Sequence, residues 1–459
     1  MRTNPLLAGR AARNLEKGCL MSDPHAYWIA TPGTALHGEI AVPGDKSISH
    51  RAVMFAALAD GSSRIEGFLE GEDTRATARI FEQMGVRFET PGASTRVVHG
   101  VGVDGLKAPQ QVLDCGNAGT GMRLLAGLLA GQPFNSTLVG DDSLNKRPMR
   151  RVTEPLARMG ARIDTAADGT PPLQVHGGAL LQGIDYHLPV ASAQIKSAVL
   201  LAGLYAQGQT SVVEPHPTRD YTERMLRAFG VEIDFSPGRA RLHGGQRLQA
   251  TDVVVPADFS SAAFFLVAAS IIPGSQLLLR QVGLNPRRTG LLDALKLMGA
   301  DITAHNPGEQ GGEVVADLLV RYAPLQGAVI PEALVPDMID EFPALFIAAA
   351  AARGQTVISG AAELRVKESD RLAAMATGLR NLGVRVDEVA DGATIHGGPI
   401  GPGSIQAQGD HRIAMAFAIA GQLASGPVRV NDVANVATSF PGFDALARGC
   451  GFGLQPGRD

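Results

Sequence analysis

Six apolar segments, each rich in small residues, recur along the chain and dominate its pattern of hydrophobic and polar positions. A helix that is apolar on every side is typical of a buried helix, not of a surface one. Short apolar or alternating runs such as "SRIEGFL" and "QTVISG" follow these segments and indicate strands. The pattern therefore predicts six buried helices, in "HRAVMFAALADG", "GMRLLAGLLAGQ", "QIKSAVLLAGLYAQG", "SAAFFLVAASIIPG", "FPALFIAAAAARG" and "HRIAMAFAIAGQLASG".

A second, less apolar helix precedes a glycine step in each repeat. Glycine in the left-handed conformation commonly ends a helix, and the residues after each step read as the start of a strand. One or two such steps are common helix ends, but six at near-even spacing indicate repetition. The steps are "FEQMGVRF" at Gly85, "LARMGARI" at Gly160, "LRAFGVEI" at Gly230, "LKLMGADI" at Gly299, "LRNLGVRV" at Gly383 and the degenerate "ARGCGFGL" at Gly451, spaced by 75, 70, 69, 84 and 68 residues.

The six units divide into three and three. "VPGDKSIS" at Val42 and "VPADFSSA" at Val255 look like one opening used twice, and we interpret them as two crossings between domains. A chain of 459 residues is also too long for one ordinary core. We therefore predict a disordered tail at 1–24, one three-repeat domain at 44–254, and a second formed by 25–43 and 255–459, with the active site in the cleft between them.

Composition excludes several classes of protein. The net charge of −4 gives no basic excess for nucleic acid or a membrane surface, and no apolar stretch is long enough to span a bilayer. The three cysteines lie far apart without a CxxC pair, which argues against a zinc site or a disulfide framework. We expect a cytoplasmic protein and a monomer. The basic first twenty residues read as a dispensable tail; a transit peptide is conceivable, and Met21 could be the true start.

Polar residues cluster where the buried helices begin. The segment "DKSISHR" places cations at a helix N-terminus, which is already electropositive and disfavours positive charge. A bound anion would remove that conflict, because backbone N–H groups, hydroxyls and cations can hold it together. Equivalent helix starts carry further polar residues: Lys46, Ser47 and Arg51; Asn117, Gly119 and Thr120; Ser192, Gln194 and Lys196; Asp340 and Glu341; and Asp410, His411 and Arg412.

The loops before the outer helices add Arg147 in "NKRPMR", Arg219 in "PTRDYTE", and "RVKESDR". Each motif alone has an ordinary explanation. "GNAGTG" reads as a tight turn, "VPGDKS" does not fit a Walker A loop, and "RVKESDR" resembles a solvated charged face. Asp340 and Glu341 could cap a helix, and His50 and His411 could simply pack or cap. Recurrence at equivalent positions nevertheless indicates one shared cleft.

Eight motifs together resemble the 5-enolpyruvylshikimate-3-phosphate synthase family. They are "GDKSISHR", "GNAGTGMRLLAG", "KRPM", "ASAQIKSAVLLAGL", "TRDYTE", "MIDEFP", "VKESDR" and "DHRIAMAF", in order between about Ile29 and Gly453. The resemblance implies an α/β fold, a two-domain inside-out α/β barrel with three βαβαββ repeats per domain. It also implies transfer of the enolpyruvyl group of phosphoenolpyruvate to the 5-hydroxyl of shikimate 3-phosphate, with release of phosphate. This reaction belongs to the shikimate pathway and needs no metal or organic cofactor.

The resemblance also implies roles for individual residues. It assigns Asp340 as the base, Glu368 as the proton donor and Lys46 as a third catalytic group. Shikimate 3-phosphate is expected at Lys46, Ser47, Arg51, Ser192, Ala193, Gln194, Arg219, Asp340 and Lys367. Phosphoenolpyruvate is expected at Lys46, Asn117, Gly119, Thr120, Arg147, Gln194, Arg371 and Arg412.

Two departures from the family pattern concern glyphosate, an inhibitor of this family. Thr438 stands where many members carry a lysine, so one cation near phosphoenolpyruvate is missing. That change, with "ASAQIK" and "TRDYTE", resembles the subgroup that contains naturally glyphosate-tolerant enzymes. Gly119, however, lacks the methyl group that crowds the inhibitor in tolerant members, so we expect this protein to remain inhibitable.

Two rival functions are compatible with parts of the pattern. A sister enolpyruvyl transferase acts on a UDP-sugar and relies on a mobile cysteine loop, for which Cys115 is the candidate. A degenerate repeat protein could bind phosphorylated ligands without turning them over. The acids Asp340 and Glu368 argue against the second, since anion binding gains nothing from carboxylates in the cleft.

Overall fold

The computed structural model describes residues 25–459, so the tail predicted at 1–24 lies outside the described residues. Within the described chain, each of six units contains one central helix and one outer helix. The central helices are Lys46–Leu58, Gly119–Ala130, Ala193–Gly203, Phe259–Ile271, Phe342–Ala351 and His411–Ala420. The outer helices are Glu72–Gln83, Arg150–Arg158, Tyr221–Ala228, Gly290–Leu297, Arg371–Asn381 and Phe443–Cys450. Short 3-10 turns cover Leu144–Lys146, Glu332–Leu334, Ala362–Val366 and Ala434–Thr438.

Units 2 and 3 are continuous βαβαββ segments. In each, the first two strands are parallel and the last strand returns antiparallel beside the second. The strands of unit 2 are Leu113–Asp114, Ser136–Val139, Arg162–Asp164 and Leu173–His176, and those of unit 3 are Asp185–His187, Gln209–Val213, Ile233–Ser236 and Arg239–His243.

Units 1 and 4 take their first strand from elsewhere in the chain. In unit 1, the strand Ala59–Glu66 pairs in parallel with two short strands, Leu248–Gln249 and Val253–Val254. In unit 4, the strand Gln276–Gly283 pairs in parallel with His37–Ile40. The remaining strands are Arg87–Gly92 and Thr95–Val101 in unit 1, and Asp301–Gln310 and Glu313–Arg321 in unit 4.

Units 5 and 6 complete the sequence of sheets. Unit 5 has the strands Gln355–Ile358, Val386–Val389 and Gly392–His396, and its first strand is reduced to isolated bridges at Gln326 and Val329. In unit 6, Ala26–Thr31 lies between two strands from the other end of the described chain and pairs antiparallel with both. The strands of unit 6 are Gly403–Gln406, Val428–Asn431 and Gly453–Arg458.

The glycine steps end the outer helices as predicted. All six glycines have a positive φ, between 83° at Gly383 and 118° at Gly451. An L-residue with a side chain is strained in this region, whereas glycine is not. The sixfold repeat read from these steps is therefore confirmed.

The central helices lie inside the molecule and the sheets lie outside them. Every residue of Phe259–Ile271 is buried, and the sheets expose one face. One hydrophobic cluster contains core residues between Ile48 and Val255, and a second contains those from Trp28 to Val42 and from Phe259 to Leu454. This is the inside-out α/β arrangement that the resemblance implied, so the predicted fold class is confirmed. No helix within residues 25–459 has the length and apolar run needed to cross a bilayer.

The two segments that resemble one opening used twice pair with each other. The backbone N–H of Asp45 donates to the carbonyl of Pro256 at 2.8 Å, and that of Asp258 donates to Pro43 at 2.8 Å. Asp45 and Asp258 then cap the helices Lys46–Leu58 and Phe259–Ile271 by accepting backbone N–H groups. Both chain crossings between the two hydrophobic clusters therefore lead directly into a central helix.

Close packing between central helices generates a test of the inside-out core. Gly127 lies against Ala198 of the next central helix, and a methyl group at Gly127 would overlap the Ala198 carbonyl. Gly127→Ala should therefore destabilise the protein by about 1–3 kcal/mol through overpacking. The measurement is the urea unfolding midpoint.

Gly449→Ala is the matched control for this substitution. Gly449 lies within an outer helix, and a methyl group there would meet nothing within 4 Å. The substitution should leave the midpoint unchanged or raise it, because alanine favours a helix over glycine by roughly 0.5–1 kcal/mol. Equal midpoints for the two variants would contradict the packing described here.

Candidate active site

A cavity of about 410 Å3 lies between the two halves of the molecule, at the N-termini of the central helices. Nine Lys and Arg residues border it against five Asp and Glu residues. This local excess of positive charge occurs in a chain whose net charge is −4. The predicted site residues that border it are Lys46, Ser47, Arg51, Asn117, Gly119, Thr120, Arg147, Ser192, Ala193, Gln194, Arg219, Asp340, Lys367, Glu368 and Arg412.

Asp340 is surrounded by guanidinium groups from several units. Its Oδ2 lies 2.9 Å from Arg288 and 3.3 Å from Arg219, and its Oδ1 lies 3.5 Å from Arg371. Arg412 donates to its backbone carbonyl at 2.9 Å. Burial alone would raise the pKa of this carboxyl, but the surrounding cations hold its pKa well below the usual range. Asp340 is therefore ionised in the structure.

Glu368 has a similar electrostatic environment. Its two carboxylate oxygens lie 3.2 Å from Arg147 and 2.6 Å from Arg371. Burial opposes ionisation, but Arg371 and Arg147 hold the pKa of Glu368 well below its usual range. Glu368 is therefore also a carboxylate here. Two ion pairs, Arg147–Glu368 and Arg219–Asp340, thus connect the halves across the cavity.

Lys46 projects from the first turn of the first central helix. Its ammonium group pairs with Asp73 at the start of the neighbouring outer helix and donates to the Ser439 hydroxyl at 2.8 Å. Ser439 belongs to unit 6, so this lysine also connects the halves. These partners hold its charged end at the cavity wall.

Arg51 is a buried cation that lacks a carboxylate partner. It is 3% exposed and donates to the hydroxyls of Thr222 and Ser197 and to the carbonyl of Ser47, at 2.7–2.9 Å. None of these acceptors carries charge, and no carboxylate in residues 25–459 forms an ion pair with it. Burial, with repulsion from Arg219, lowers the pKa of Arg51 to about 10. A group in this state is stabilised by an arriving anion.

Arg123 is a second such cation, and the sequence analysis missed it. Its guanidinium donates to Gln194 Oε1 at 2.9 Å and to the carbonyl of Gly119 at 3.3 Å. Gln194 in turn donates to the Thr120 hydroxyl at 2.9 Å. Burial, with repulsion from Arg147, lowers the pKa of Arg123 to about 10. Arg123 lies one helical turn after Gly119 in the glycine-rich motif, so the neighbouring predicted residues Gly119 and Thr120 could have indicated it.

Further predicted residues shape the wall of the cavity. Ser192 caps the helix that begins at Ala193, and Asn117 Oδ1 accepts from Arg147 at 2.8 Å. Lys367 lies 3.7 Å from Glu363, and burial lowers the pKa of its ammonium group. These side chains come from loops and helix starts in both halves.

Two residues named in the sequence analysis, Arg371 and Thr438, do not border the cavity. Arg371 is 1% exposed and does not border the cavity, because it is engaged by Asp410 at 2.8 Å as well as by Glu368 and Asp340. Thr438 is buried and donates to the carbonyl of Asn435, so its hydroxyl proton is engaged in a hydrogen bond within the protein.

Cys115 is buried, and burial raises the pKa of its thiol far above the ordinary value. A reactive cysteine needs an accessible thiolate, so this position does not provide one. Within residues 25–459, no group of three or more His, Cys, Asp or Glu side chains is placed to hold a metal ion.

The unpaired state of Arg51 generates a prediction about anions. Arg51→Met should leave the ligand-free thermal midpoint unchanged or higher, because it removes a buried charge without a carboxylate partner. Ser197 and Thr222 would keep their mutual hydrogen bond of 2.7 Å. Inorganic phosphate should raise the wild-type midpoint more than the midpoint of the variant. The measurement is a thermal melt with and without phosphate.

Arg64→Met serves as the control, since Arg64 is a half-exposed arginine paired with Glu66. It should respond to phosphate as the wild type does. A large loss of ligand-free stability in Arg51→Met, with an unchanged phosphate response, would show that Arg51 is only a structural group.

Comparisons with known proteins agree with this geometry. Residues 30–446 match the family model described as EPSP synthase (3-phosphoshikimate 1-carboxyvinyltransferase). The chain is 78% identical over 435 residues to a 3-phosphoshikimate 1-carboxyvinyltransferase of Xanthomonas euvesicatoria pv. vesicatoria (strain 85-10), covering 95% of this chain and 99% of the relative.

Solved structures give the same result. An EPSP synthase from Acinetobacter baumannii matches with a TM-score of 0.85 and 50% identity, covering 94% of this chain and 100% of that one. The enolpyruvyl transferase NikO from Streptomyces tendae shares the fold with a TM-score of 0.78 at 19% identity over 95% of this chain and 100% of that one. On these matches, the chain belongs to the EPSP synthase family.

Proposed function

We propose that this protein transfers the enolpyruvyl group of phosphoenolpyruvate to the 5-hydroxyl of shikimate 3-phosphate and releases phosphate. The observation that carries the proposal is the cavity between the halves, where nine cations and five acids meet. Two of these cations, Arg51 and Arg123, are buried and form no ion pair with a carboxylate of residues 25–459. Both substrates are polyanions, so their binding would supply the charge that Arg51 and Arg123 lack. Family membership supports the same reaction.

The two substrates divide the cavity between them. Shikimate 3-phosphate would occupy the part near Lys46, Ser47, Arg51, Ser192, Ala193, Gln194, Arg219, Asp340 and Lys367. Phosphoenolpyruvate would occupy the part near Lys46, Asn117, Gly119, Thr120, Arg147, Gln194, Arg371 and Arg412. Gln194 lies between Arg123 and Thr120 in a hydrogen-bonded chain, which supports its place between the two substrates. Arg371 would reach phosphoenolpyruvate only after a rearrangement of the Glu368 ion pair.

The reaction requires one proton to leave the hydroxyl and one to reach the methylene carbon. Protonation of that carbon makes C2 electrophilic, and the hydroxyl oxygen then bonds to it. Loss of phosphate from C2 and return of a methyl proton to the carboxylate that donated it then restore the double bond. Asp340, which is ionised, suits the role of base. Surrounding cations would stabilise the departing phosphate.

Glu368 can donate a proton only after its surroundings change. Arg371 and Arg147 keep it ionised in the structure. Substrate anions that pair with those guanidinium groups would weaken their hold on the carboxylate and raise its pKa. Binding would thereby separate the pKa values of the two acids, which the assignment of one base and one donor requires.

The halves would act as two domains, 44–254 and 25–43 with 255–459. Their separate hydrophobic clusters support this division. The ion pairs across the cavity support closure on the substrates, since they hold the two halves together at the site. A monomer in the cytoplasm stays a prediction.

The direct test measures phosphate release with shikimate 3-phosphate and phosphoenolpyruvate. Release should need both substrates, and UDP-N-acetylglucosamine should not replace the first. Asp340→Asn should lower kcat by at least about 100-fold, the usual contribution of a general base. Asp444→Asn is the control, because Asp444 pairs with Arg448 on an outer helix and does not border the cavity.

Two outcomes would contradict the proposal. Turnover of the UDP-sugar in place of shikimate 3-phosphate would favour the sister transferase. Binding of both phosphorylated ligands without phosphate release would favour the degenerate binding protein.

Gly119→Ala tests the expected sensitivity to glyphosate. A methyl group at Gly119 would lie 2.9 Å from Arg123 Nη1 and 3.0 Å from Arg147 Nη1, so it would narrow the space beside both cations. Glyphosate is longer between its anionic ends than phosphoenolpyruvate and should be crowded more. We expect the inhibition constant to rise at least about tenfold (~1.4 kcal/mol) and the KM for phosphoenolpyruvate to rise less.

Steady-state inhibition of the wild type, Gly119→Ala and Gly449→Ala makes the comparison. Gly449→Ala should match the wild type, since Gly449 is remote from the cavity. Equal inhibition constants for wild type and Gly119→Ala would remove the steric explanation.

A further inference from the structure

The loop before each outer helix, or the first turn of that helix, contributes a polar side chain to the cluster between the halves, including in unit 4, which the sequence analysis left without a site residue. In unit 4 that residue is Arg288, in "NPRRTG", two residues before the helix Gly290–Leu297. It borders the cavity, but none of the roles discussed above uses it. The corresponding groups of the other units are Asp73, Arg147, Arg219, Lys367 and Ser439.

Arg288 connects Asp340 to the second chain crossing. Its Nη1 lies 2.9 Å from Asp340 Oδ2, and its Nη2 lies 3.5 Å from Asp258 Oδ1 and bonds the Ser260 hydroxyl. The same Nη1 lies 3.7 Å from Glu341 Oε1. Arg288 is 5% exposed, and its planar guanidinium group is held by contacts with Asp340, Asp258, Ser260 and Glu341.

Arg288 differs from Arg219, the other arginine on Asp340 Oδ2, in where it comes from. Arg219 belongs to the opposite half and lies 3.3 Å away, so this contact depends on the halves being close. Arg288 belongs to the same half as Asp340, and Asp258, which it also contacts, caps the helix Phe259–Ile271. The Arg288 contact therefore does not depend on how close the halves are.

We propose that Arg288 is a positioning residue that fixes the Asp340 carboxylate toward the cavity by anchoring it to the chain crossing at Asp258. This inference rests on the proposed function, in which Asp340 takes the proton of the substrate hydroxyl. A base must be held within hydrogen-bonding reach of its proton, and a displacement of about 1 Å can cost on the order of 100-fold in rate.

The charges that face Asp340 set the expected pH dependence. Arg219, Arg288, Arg371, Arg412 and Lys367 favour its ionised form, and the carboxylates of Glu341 and Glu368 oppose it. Asp258 faces Arg288 at 3.5 Å. Removing one cation from this set raises the pKa of Asp340. The acid limb of the kcat/KM profile, which reports the free enzyme, should then move to higher pH.

Two variants separate the position of Asp340 from its charge environment. Arg288→Met removes both the contact that positions Asp340 and the positive charge beside it. Its kcat should therefore fall about 100-fold, with little change in the KM of either substrate. The acid limb of its kcat/KM profile should move to higher pH. Arg288→Lys keeps the positive charge, but a single ammonium group cannot contact Asp340 and Asp258 simultaneously as the two guanidinium nitrogens do. Its kcat should fall about tenfold or more while the acid limb stays near that of the wild type.

Arg287→Met and Arg287→Lys are the matched controls. Arg287 is the adjacent arginine in the same loop and pairs with Asp337 at 3.2 Å, not with Asp340. Both controls should keep the kcat and pH profile of the wild type.

The proposal is overturned if Arg288→Lys retains full kcat. Simultaneous contact of one guanidinium group with Asp340 and Asp258 would then be irrelevant to turnover. The proposal is also overturned if Arg288→Met loses thermal stability but keeps its kcat and acid limb. If Arg288→Met does not fold, the kcat of Arg288→Lys alone decides. A wild-type protein that releases no phosphate with both substrates would instead refute the proposed function.

Discussion

The guanidinium groups at the cavity, which outnumber the carboxylates beside them, are the constraint on which the rest of the structure depends. Burying a cation is unfavourable unless a partner compensates. Asp340 and Glu368 neutralise some of the guanidinium groups at the cavity, but Arg51 and Arg123 have only neutral acceptors. Burying these two guanidinium groups among neutral acceptors is therefore unfavourable, and binding of the negatively charged proposed substrates beside them would relieve this cost.

The repeat explains how one small cavity receives so many polar side chains. Each unit directs the start of a buried helix toward the same gap, and units 1 to 5 also border it with the first turn of an outer helix or the loop before it. In unit 6 the corresponding Ser439 meets Lys46. Strand exchange between distant parts of the chain closes each set of three units, as when Ala26–Thr31 inserts between the final strands. The paired crossings near Asp45 and Asp258 then fix how the two sets meet.

Local sequence predicted much of this architecture because its signals are local. A glycine that ends a helix, such as Gly230, and a helix that is apolar all round, such as Phe259–Ile271, can both be recognised without knowledge of the fold. Strand exchange could not be predicted from the same patterns, because Ala26–Thr31 finds its partners hundreds of residues away.

The same distinction applies to the site. Lys46 and Asp340 stood out at equivalent helix starts, whereas Arg123 was passed over although it lies one turn after Gly119 in a motif already assigned to the site. Arg288 could have been found by applying the repeat to the loop of unit 4. Ionisation of Asp340 and Glu368 depends on arginines that meet only in the folded protein, so no spacing in the sequence could give their pKa directions.

The central claim is that two polyanions bind between the halves because buried cations without carboxylate partners are stabilised by them there. A crystal structure with shikimate 3-phosphate tests this claim most directly. The account predicts that its phosphate and carboxylate lie among Lys46, Arg51 and Arg219, with the 5-hydroxyl in reach of Asp340. Density for the ligand on an outer sheet, with Arg51 still bound only to neutral acceptors, would contradict it.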